Sequence, residues 1–438
     1  MRLPQYGDED MNFFGISIKK LALPLGLGAA IALGAAGGAL AQSPHERCAM
    51  EAASPYEAGY RDVGVEARDM DVNEAIRACK AALSASPTAV EVKAWLGRAY
   101  YVANDVQTAL PYLREAADGN NPVALQLLGD MMITGEGVTT DMEGGAALLQ
   151  RAADQDYAPG QNSLGLSYDF GEGVEQDYGN AAYYYLAAAK NGLPRAMSNI
   201  GLMYQDGLGV PQDYVAAAAW FLRASDAGDA AGMVNLGKVY QDGLGLDPDP
   251  EKAFQYYKMG HDAGDLYGTN NLGFMYETGL GVEQDLGLAV QYYQEAADEG
   301  LALAQHNLAI LYEDGRGVKQ DLQKAFQLYT QAAENGETRA QVNLGLMYLD
   351  GRGTDANYDL AYYWTNEAAQ SGHAIAMNNM GYIYENGLGV DKDLETALQW
   401  YQESAGRGYQ PAAEAVQALT EIIRNGGQGN SGGKVKNK

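Results

Sequence analysis

The hydrophobic positions along most of the 438-residue chain follow a helical period, with apolar residues three and four positions apart. In one such stretch, Ile200, Met203 and Tyr204 share one helix face. The pair Gly207 and Gly209 then interrupts the pattern, and glycines permit the positive φ of a tight reversal. A second helical stretch follows. The pattern predicts two antiparallel helices joined by a glycine turn.

This unit recurs with a fixed step of 36 residues, eight times between residues 122 and 409. A small residue in the first helix marks the step, and we call it the marker. The marker is Gly129, Gly165, Gly201, Gly237, Gly273, Ala309, Gly345 and Gly381. We number the copies 1 to 8 and call their two helices A and B.

The start and the end of helix B are also marked. An Asp or Asn follows the glycine turn at a fixed place, where its side chain can cap the free N–H groups of a first turn. These residues are Asp141, Asp177, Asp213, Asp249, Asp285, Asp321, Asn357 and Asp393. Glycines end helix B in copies 2 to 8, whereas copy 1 has Asp156. Inside helix B, small and large residues such as Ala217 and Trp220 predict interdigitating helices.

The pattern resembles the Sel-one-like repeat (SLR) family, a relative of the tetratricopeptide repeat (TPR), over residues 122–409. The N-L-G-x-M-Y string, the G-x-G turn and the alanine spacing carry the resemblance. It implies an all-α solenoid, a right-handed α-α superhelix of antiparallel helix pairs whose A helices line the concave face. It also implies an adaptor or scaffold for protein complexes. Secreted bacterial members include envelope regulators that hold a sensor kinase in check, and some are labelled β-lactamase-like.

The flanking segments extend the array. Residues 42–121 are predicted to hold two TPR-like helix pairs, an ordinary copy at 90–121 and a weaker copy at 56–89. After the last copy, residues 410–424 have the amphipathic pattern of a helix that caps the open end of a solenoid. Residues 425–438, rich in Gly, Asn and Lys, predict a disordered tail.

Residues 1–41 have the pattern of a signal peptide. Two lysines precede an apolar run that ends in the A-x-A cleavage pattern of residues 39–41. Met11 gives a signal peptide of ordinary length, and the mature chain is expected to begin at Gln42. This predicts a periplasmic or secreted protein without stable membrane insertion after cleavage. A retained membrane anchor is the alternative.

The two cysteines fit an oxidising compartment. Cys48 and Cys79 both lie in the predicted mature chain, and an isolated pair usually bonds in such a compartment. We predict a disulfide between them, with a buried free pair as the alternative. The formal net charge of −28 opposes binding to nucleic acid or anionic membrane and favours neutral or basic partners. Simple solubility also explains this charge.

The sequence predicts no catalytic, cofactor-binding or metal-binding residue. The four histidines fall at different repeat positions, and no two have the i, i+4 spacing of a zinc motif. Ser17 and Lys20 match the S-x-x-K string of β-lactamases, but they lie in the signal peptide and the K-T-G string is missing. A β-lactamase-like activity is therefore not predicted.

Helix A leaves the residue directly after the marker free for binding. An apolar residue occupies it in six copies, and we call this set the apolar stripe: Leu166, Leu202, Phe274, Ile310, Leu346 and Tyr382. On a concave face the stripe could hold a segment of a partner protein. Packing between neighbouring A helices is the alternative. A polar rim for basic partner residues is predicted three positions further along, at Asp169, Gln205, Glu277, Glu313 and Glu385.

Together these features predict a non-catalytic scaffold that binds a protein, such as a membrane sensor or an envelope-assembly factor, and no nucleic acid. The alternative hypothesis is an enzyme or enzyme subunit that acts on cell-wall material. A convergent set of acid, base and nucleophile would distinguish the two, and the sequence shows none.

Overall fold

The computed structural model describes residues 43–424 and Gly426. The predicted signal peptide at 1–41, and all of the predicted tail except Gly426, lie outside the described residues. The described residues from Pro44 onward belong to one compact unit. They form 21 α-helices and one short 3-10 helix, with no strand among them, which confirms the all-α prediction.

Each consecutive pair of helices packs together along the chain. The N-terminal region holds α1 (Pro44–Ala52), α2 (Val72–Ala85), α3 (Val90–Val102) and α4 (Val106–Asp118). The A helices of copies 1 to 8 are α5 (Pro122–Thr134), α7 (Ala158–Phe170), α9 (Pro194–Asp206), α11 (Ala230–Asp242), α13 (Leu266–Thr278), α15 (Ala302–Asp314), α17 (Thr338–Asp350) and α19 (Ala374–Asn386). The B helices are α6 (Met142–Ala153), α8 (Tyr178–Lys190), α10 (Tyr214–Asp226), α12 (Pro250–Asp262), α14 (Leu286–Asp298), α16 (Leu322–Glu334), α18 (Tyr358–Gln370) and α20 (Leu394–Gly406). The last helix is α21 (Gln410–Arg424).

The predicted caps begin helix B in all eight copies. Asp177, for example, accepts a hydrogen bond from the backbone N–H of Asn180 at 3.0 Å. Asn357 replaces the aspartate in copy 7 and accepts from Leu360 in the same way. Such a cap stabilises a helix by about 1 kcal/mol. This repeated residue is therefore structural, as the sequence indicated.

The glycine turn also joins neighbouring copies. Gly207 ends α9 with a φ of +71°, and Gly209 follows with a φ of +69°. A Cβ added to Gly209 would lie 1.9 Å from the carbonyl oxygen of Tyr178, at the start of the preceding B helix. The second glycine of the turn thus allows both a left-handed backbone and close contact with the preceding copy.

In copies 1 to 5 and in copy 8 the marker is small because a large side chain of helix B packs against it. A Cβ added to Gly201 would lie 2.6 Å from the ring of Phe221, and one added to Gly273 would lie 2.7 Å from the ring of Tyr293. Phe221 and Tyr293 are almost fully buried. The deepest ring of α10 is therefore Phe221, one position beyond the Trp220 indicated by the sequence, although Trp220 is also buried.

The A helices lie on the inner side of the array. Successive A-type helices contact one another at α3–α5, α5–α7 and α9–α11, and no described pair of successive B helices makes contacts of that extent. In a curved array, the helices that approach one another more closely lie nearer the centre of curvature. We call the accessible surface of the A helices the inner face.

The N-terminal region departs from the predicted weaker copy at residues 56–89. Its first helix is α1, which ends at Ala52, and it pairs with α2. Residues 53–71 contain only the 3-10 helix Ala67–Asp69, so the prediction of a first helix within 56–89 is wrong. The predicted disulfide is present and joins Cys48 of α1 to Cys79 of α2. We call residues 53–71 the strap.

Candidate functional site

The inner face consists of four rows of side chains on each A helix. Four positions make up these rows: six before, two before, one after and five after the marker. At 3.6 residues per turn, they fall within about 60° of each other around the helix axis. The buried residues of α9, such as Ile200 and Met203, lie on its other sides. Each copy therefore presents the same four positions to the inner face.

The apolar stripe is the row directly after the marker, and it is partly accessible. Leu202 is 37% exposed, Phe274 is 37% exposed and Tyr382 is 49% exposed. The other three stripe residues are half-buried. The structure thus brings the stripe residues to equivalent places on six A helices, interrupted by Lys238 in copy 4, and leaves part of each side chain uncovered. Whether a partner uses them stays a prediction.

An amide row lies beside the stripe, two positions before the marker in copies 3 to 8. It consists of Asn199, Asn235, Asn271, Asn307, Asn343 and Asn379. The first five are half-buried, and Asn379 is buried. Asn199 donates from Nδ2 to Oδ1 of Asn162 on the preceding A helix at 3.0 Å, and Asn307 donates to Asn270 at 2.9 Å. In the sequence these asparagines were recognised only as part of the N-L-G-x-M-Y string. The signal that could have identified this row in the sequence is the recurrence of asparagine at one position in copies 3 to 8.

The predicted polar rim has partners within the protein. Tyr293 donates to Oε2 of Glu277 at 2.7 Å, and Tyr329 donates to Oε2 of Glu313 at 2.8 Å. The same pairing joins Tyr185 to Asp169 at 3.0 Å and Tyr401 to Glu385 at 2.9 Å. Burial, followed by the nearby carboxylate, raises the pKa of each tyrosine well above its ordinary value, so the hydroxyl remains a donor.

The rim also links neighbouring copies. Arg316, in the glycine turn of copy 6, donates to Oε1 of Glu277 in copy 5 at 2.8 Å, and Arg352 pairs with Glu313 in the same way. In copy 3, Gln205 occupies the rim position, and Phe221 stands where copies 2, 4, 5, 6 and 8 have a tyrosine. The acidic rim residues thus stabilise the array. Their use by basic partner residues stays a prediction.

The strap occupies the inner face at α3. Arg98, one position after the marker-like Gly97, donates to the carbonyl oxygens of Ala52 at 3.0 Å and Val65 at 2.8 Å. Trp95, two positions before Gly97, donates from Nε1 to Oε2 of Glu57 at 2.7 Å. These positions of α3 correspond to the stripe and the amide row. Sequence reasoning missed this contact, although Trp and Arg at these positions differ from every later copy.

The buried charges of the strap are held by hydrogen bonds. Burial raises the pKa of Glu57, and the hydrogen bonds from Trp95 and Asn121 oppose this shift. Burial also lowers the pKa of Arg98, whose guanidinium donates to backbone carbonyls of the α1–strap segment. A buried charge is tolerated when such bonds compensate for lost hydration. The network therefore stabilises the contact between the strap and α3.

The strap continues beyond α3 along the first copies. The hydroxyl of Tyr157, at the start of α7, donates to Oγ of Ser54 at 3.0 Å. Tyr56 packs against the core of copies 2 and 3. Further along, Arg68 Nη2 would lie 3.7 Å from a Cβ placed on Gly228, at the end of copy 3. The strap thus contacts the array from α3 to copy 3.

The described residues contain no group of three or more His, Cys, Asp or Glu side chains that could hold a metal ion. His306 is buried against Tyr329, and burial, with a smaller effect of Arg339, lowers its pKa to about 4. Its imidazole is therefore neutral at pH 7. None of the described helices has the length and apolar character needed to cross a membrane.

Comparison with known proteins gives one family match and several structural likenesses. The family described as Sel1 repeat matches residues 122–157, 158–193, 194–229, 230–265, 266–301, 302–337, 338–373 and 374–409. No curated protein matches the chain. Among solved structures, a Sel1 repeat protein from Oxalobacter formigenes is 29% identical with a TM-score of 0.49, covering 71% of this chain and 90% of its own.

Two further structures are similar over most of the chain. The first is c5321, a protective antigen of uropathogenic Escherichia coli displaying an SLR fold. It is 24% identical with a TM-score of 0.47, over 84% of this chain and 94% of its own. The second is yeast Tom70, which is 12% identical with a TM-score of 0.41, over 81% of this chain and 86% of its own.

Proposed function

Because the chain belongs to the Sel1 repeat family, whose repeats mediate protein–protein interaction, we propose that it is a periplasmic or secreted scaffold that binds another protein on its inner face. The proposed partner is the sensor region of a membrane signalling protein or an envelope-assembly factor. Binding to a sensor would make the protein a negative regulator. The predicted signal peptide at 1–41 supports the location.

The observation that most directly supports this proposal is the exposure of the apolar stripe. Leu202, Phe274 and Tyr382 are large apolar side chains that lie at one helix position in copies 3, 5 and 8 and remain more than a third exposed. Exposed apolar side chains aligned on one surface are typical of protein-binding sites. No observation on the described residues favours action on cell-wall material.

A pull-down from the envelope fraction tests the proposal. Tagged residues 42–438 would be crosslinked to their partners as wild type and as the triple variant Leu202→Glu, Phe274→Glu, Ile310→Glu. A matched control places glutamate at three residues of the B helices, Val215, Met259 and Tyr363, which are 52%, 42% and 50% exposed. Circular dichroism would check that all three proteins keep their helical content.

We expect a partner that wild type and control retain and the stripe variant loses. A partner retained by the stripe variant would move the site away from the inner face. Absence of any crosslinked partner would refute the scaffold proposal. The mass of the protein from the same fraction would test its location, because a mature form beginning at Gln42 is expected, and a form that retains residues 1–41 would contradict secretion by cleavage.

A further inference from the structure

A cavity of about 240 Å³ lies between the strap and the first two copies. Tyr56, Glu57 and Arg61 line it from the strap. Asp156 and Tyr157 line it from the array. A water molecule occupies about 30 Å³ of liquid, so the cavity has room for an organic molecule of about eight or nine non-hydrogen atoms. The cavity belongs to the contact between the strap and the array, because neither forms it alone.

Asp156 is a departure from the repeat at this cavity. Its backbone is left-handed, with a φ of +56°, and the equivalent residue of the other seven copies is a glycine, such as Gly192 with a φ of +90°. Glycine adopts this conformation without steric strain, whereas an aspartate retains strain of the kind that clusters at functional sites. The Asp156 side chain is exposed, and its Oδ1 accepts from Nε2 of Gln161 at 3.3 Å. Its Oδ2 therefore remains available to a ligand.

Arg61 brings the opposite charge to the same cavity. Its side chain is exposed and forms no ion pair or hydrogen bond with any described residue, whereas Arg68 of the strap lies 3.6 Å from Asp69. A guanidinium with free N–H donors binds a carboxylate through two parallel hydrogen bonds. Both carboxylate oxygens of Glu57 already accept hydrogen bonds from the protein. The charged groups left for a ligand are therefore those of Arg61 and Asp156.

The other walls of the cavity are aromatic or apolar. The hydroxyl of Tyr157 donates to Oγ of Ser54 at 3.0 Å, and the hydroxyl of Tyr56 donates to Oε1 of Glu66 at 2.6 Å. Because the protein holds both hydroxyls, the two rings and Pro122 give the cavity its apolar surface. Aromatic rings also favour a nearby ammonium group.

We propose that this cavity binds a free α-amino acid with an apolar side chain of moderate size. Arg61 binds its carboxylate, Asp156 binds its ammonium group, and the tyrosine rings and Pro122 contact its side chain. An α-amino acid matches the site because it carries both charges and an apolar group within the available volume. Valine, leucine and methionine have about eight or nine non-hydrogen atoms and fit, whereas tryptophan exceeds the volume. This site goes beyond the proposed scaffold function and does not depend on it.

Binding of the amino acid also acts on the strap. Because the ligand contacts the strap and the array together, it stabilises the contact between them by mass action. Protection from hydrogen exchange should therefore rise in the strap, at the end of α6 and at the start of α7. Copies 7 and 8 do not line the cavity and should keep their protection unchanged.

Isothermal titration calorimetry tests the proposal, with each standard amino acid as the titrant and residues 42–438 as the protein. The test variants are Arg61→Gln and Asp156→Gly. Asp156→Gly introduces the residue that the other seven copies have, so it should not lower the thermal midpoint. The matched controls are Arg68→Gln on the strap and Asp154→Asn at the end of the same helix, at two positions that do not line the cavity.

We expect wild type and both controls to bind valine, leucine or methionine. Each test variant should bind at least about tenfold more weakly, as for the loss of a charge-assisted hydrogen bond. Ligand derivatives provide an arm that does not depend on the folding of any variant. The N-acetyl form lacks the ammonium charge and the amide form lacks the carboxylate charge, so each should bind wild type at least about tenfold more weakly than the parent amino acid.

Four results would overturn the proposal. The first is that no amino acid in millimolar excess produces heat of binding or shifts the thermal midpoint. The second is binding that both test variants retain in full. The third is binding that the N-acetyl form or the amide form retains in full, because the site would then not recognise both charges. The fourth is protection from hydrogen exchange that rises only in copies 4 to 8, which would place the ligand elsewhere.

Discussion

Substitution of Gly281 by alanine tests whether the glycine turn holds neighbouring copies together. Gly281 is the second glycine of the turn in copy 5, with a φ of +70°. A Cβ there would lie 2.2 Å from the carbonyl oxygen of Pro250 at the start of α12. The left-handed backbone alone costs an alanine about 1–2 kcal/mol. The steric conflict with backbone adds to this, as overpacking typically costs about 1–3 kcal/mol.

Gly264 is the matched control because it separates the two contributions. It ends the B helix of copy 4 with a φ of +85°, and a Cβ there would meet no atom within 4 Å. Gly264→Ala should therefore lose only the backbone contribution of about 1–2 kcal/mol. Gly281→Ala should lose about 2–5 kcal/mol, the sum of both contributions.

Hydrogen exchange followed by mass spectrometry is the suitable assay, because each copy of a repeat array contacts only its neighbours and unfolds locally. Gly281→Ala should reduce protection in α12, α13 and α14 and leave α19 and α20 unchanged. The thermal midpoint by circular dichroism would fall in the same order. Equal losses for Gly264→Ala and Gly281→Ala would refute the argument that this glycine is required by contact with the preceding copy.

Three further predictions concern other parts of the array. Tyr293→Phe removes the hydroxyl that donates to a half-buried carboxylate of α13, so it should cost about 1–2 kcal/mol; unchanged protection of α13 and α14 would contradict this. Cys48→Ser with Cys79→Ser opens the loop closed by a disulfide between residues 31 positions apart, for which chain entropy predicts a loss of about 3.7 kcal/mol. Protection should fall in α1, the strap and α2 but not in copies 4 to 8, and an array-wide loss would contradict the local role. His306 has a folded pKa of about 4, below the unfolded value of 6.5. Between these two pH values the unfolded state binds more protons than the folded state, so the stability of the fold should fall as pH falls through this window. His306→Asn should flatten the thermal midpoint between pH 4 and pH 7, and an unchanged slope would contradict the assignment.

The sequence determined the repeat, because the repeat depends on local chemistry. Asp177 caps helix B through its own backbone neighbours, and Gly207 ends helix A through its own φ, so both roles were predictable from residue type and spacing. Because the step is always 36 residues, the same roles could be assigned to the equivalent residues of all eight copies. The cysteine pair was predictable for a related reason, since the described chain holds no other cysteine with which either could bond.

Only the tertiary structure decided what the repeated residues contact across copies and where the strap lies. Glu277 was predicted only as part of a rim for basic partner residues, and the structure adds that its carboxylate accepts from Tyr293 of its own copy and from Arg316 of the next. Trp95 and Arg98 bind a segment more than thirty residues away in the chain that local patterns had assigned to a helix. The hydrophobic period and the helix propensity of a sequence describe only residues that are neighbours along the chain. Contacts between copies, and between the strap and the inner face, depend on surfaces that exist only after the helices have packed.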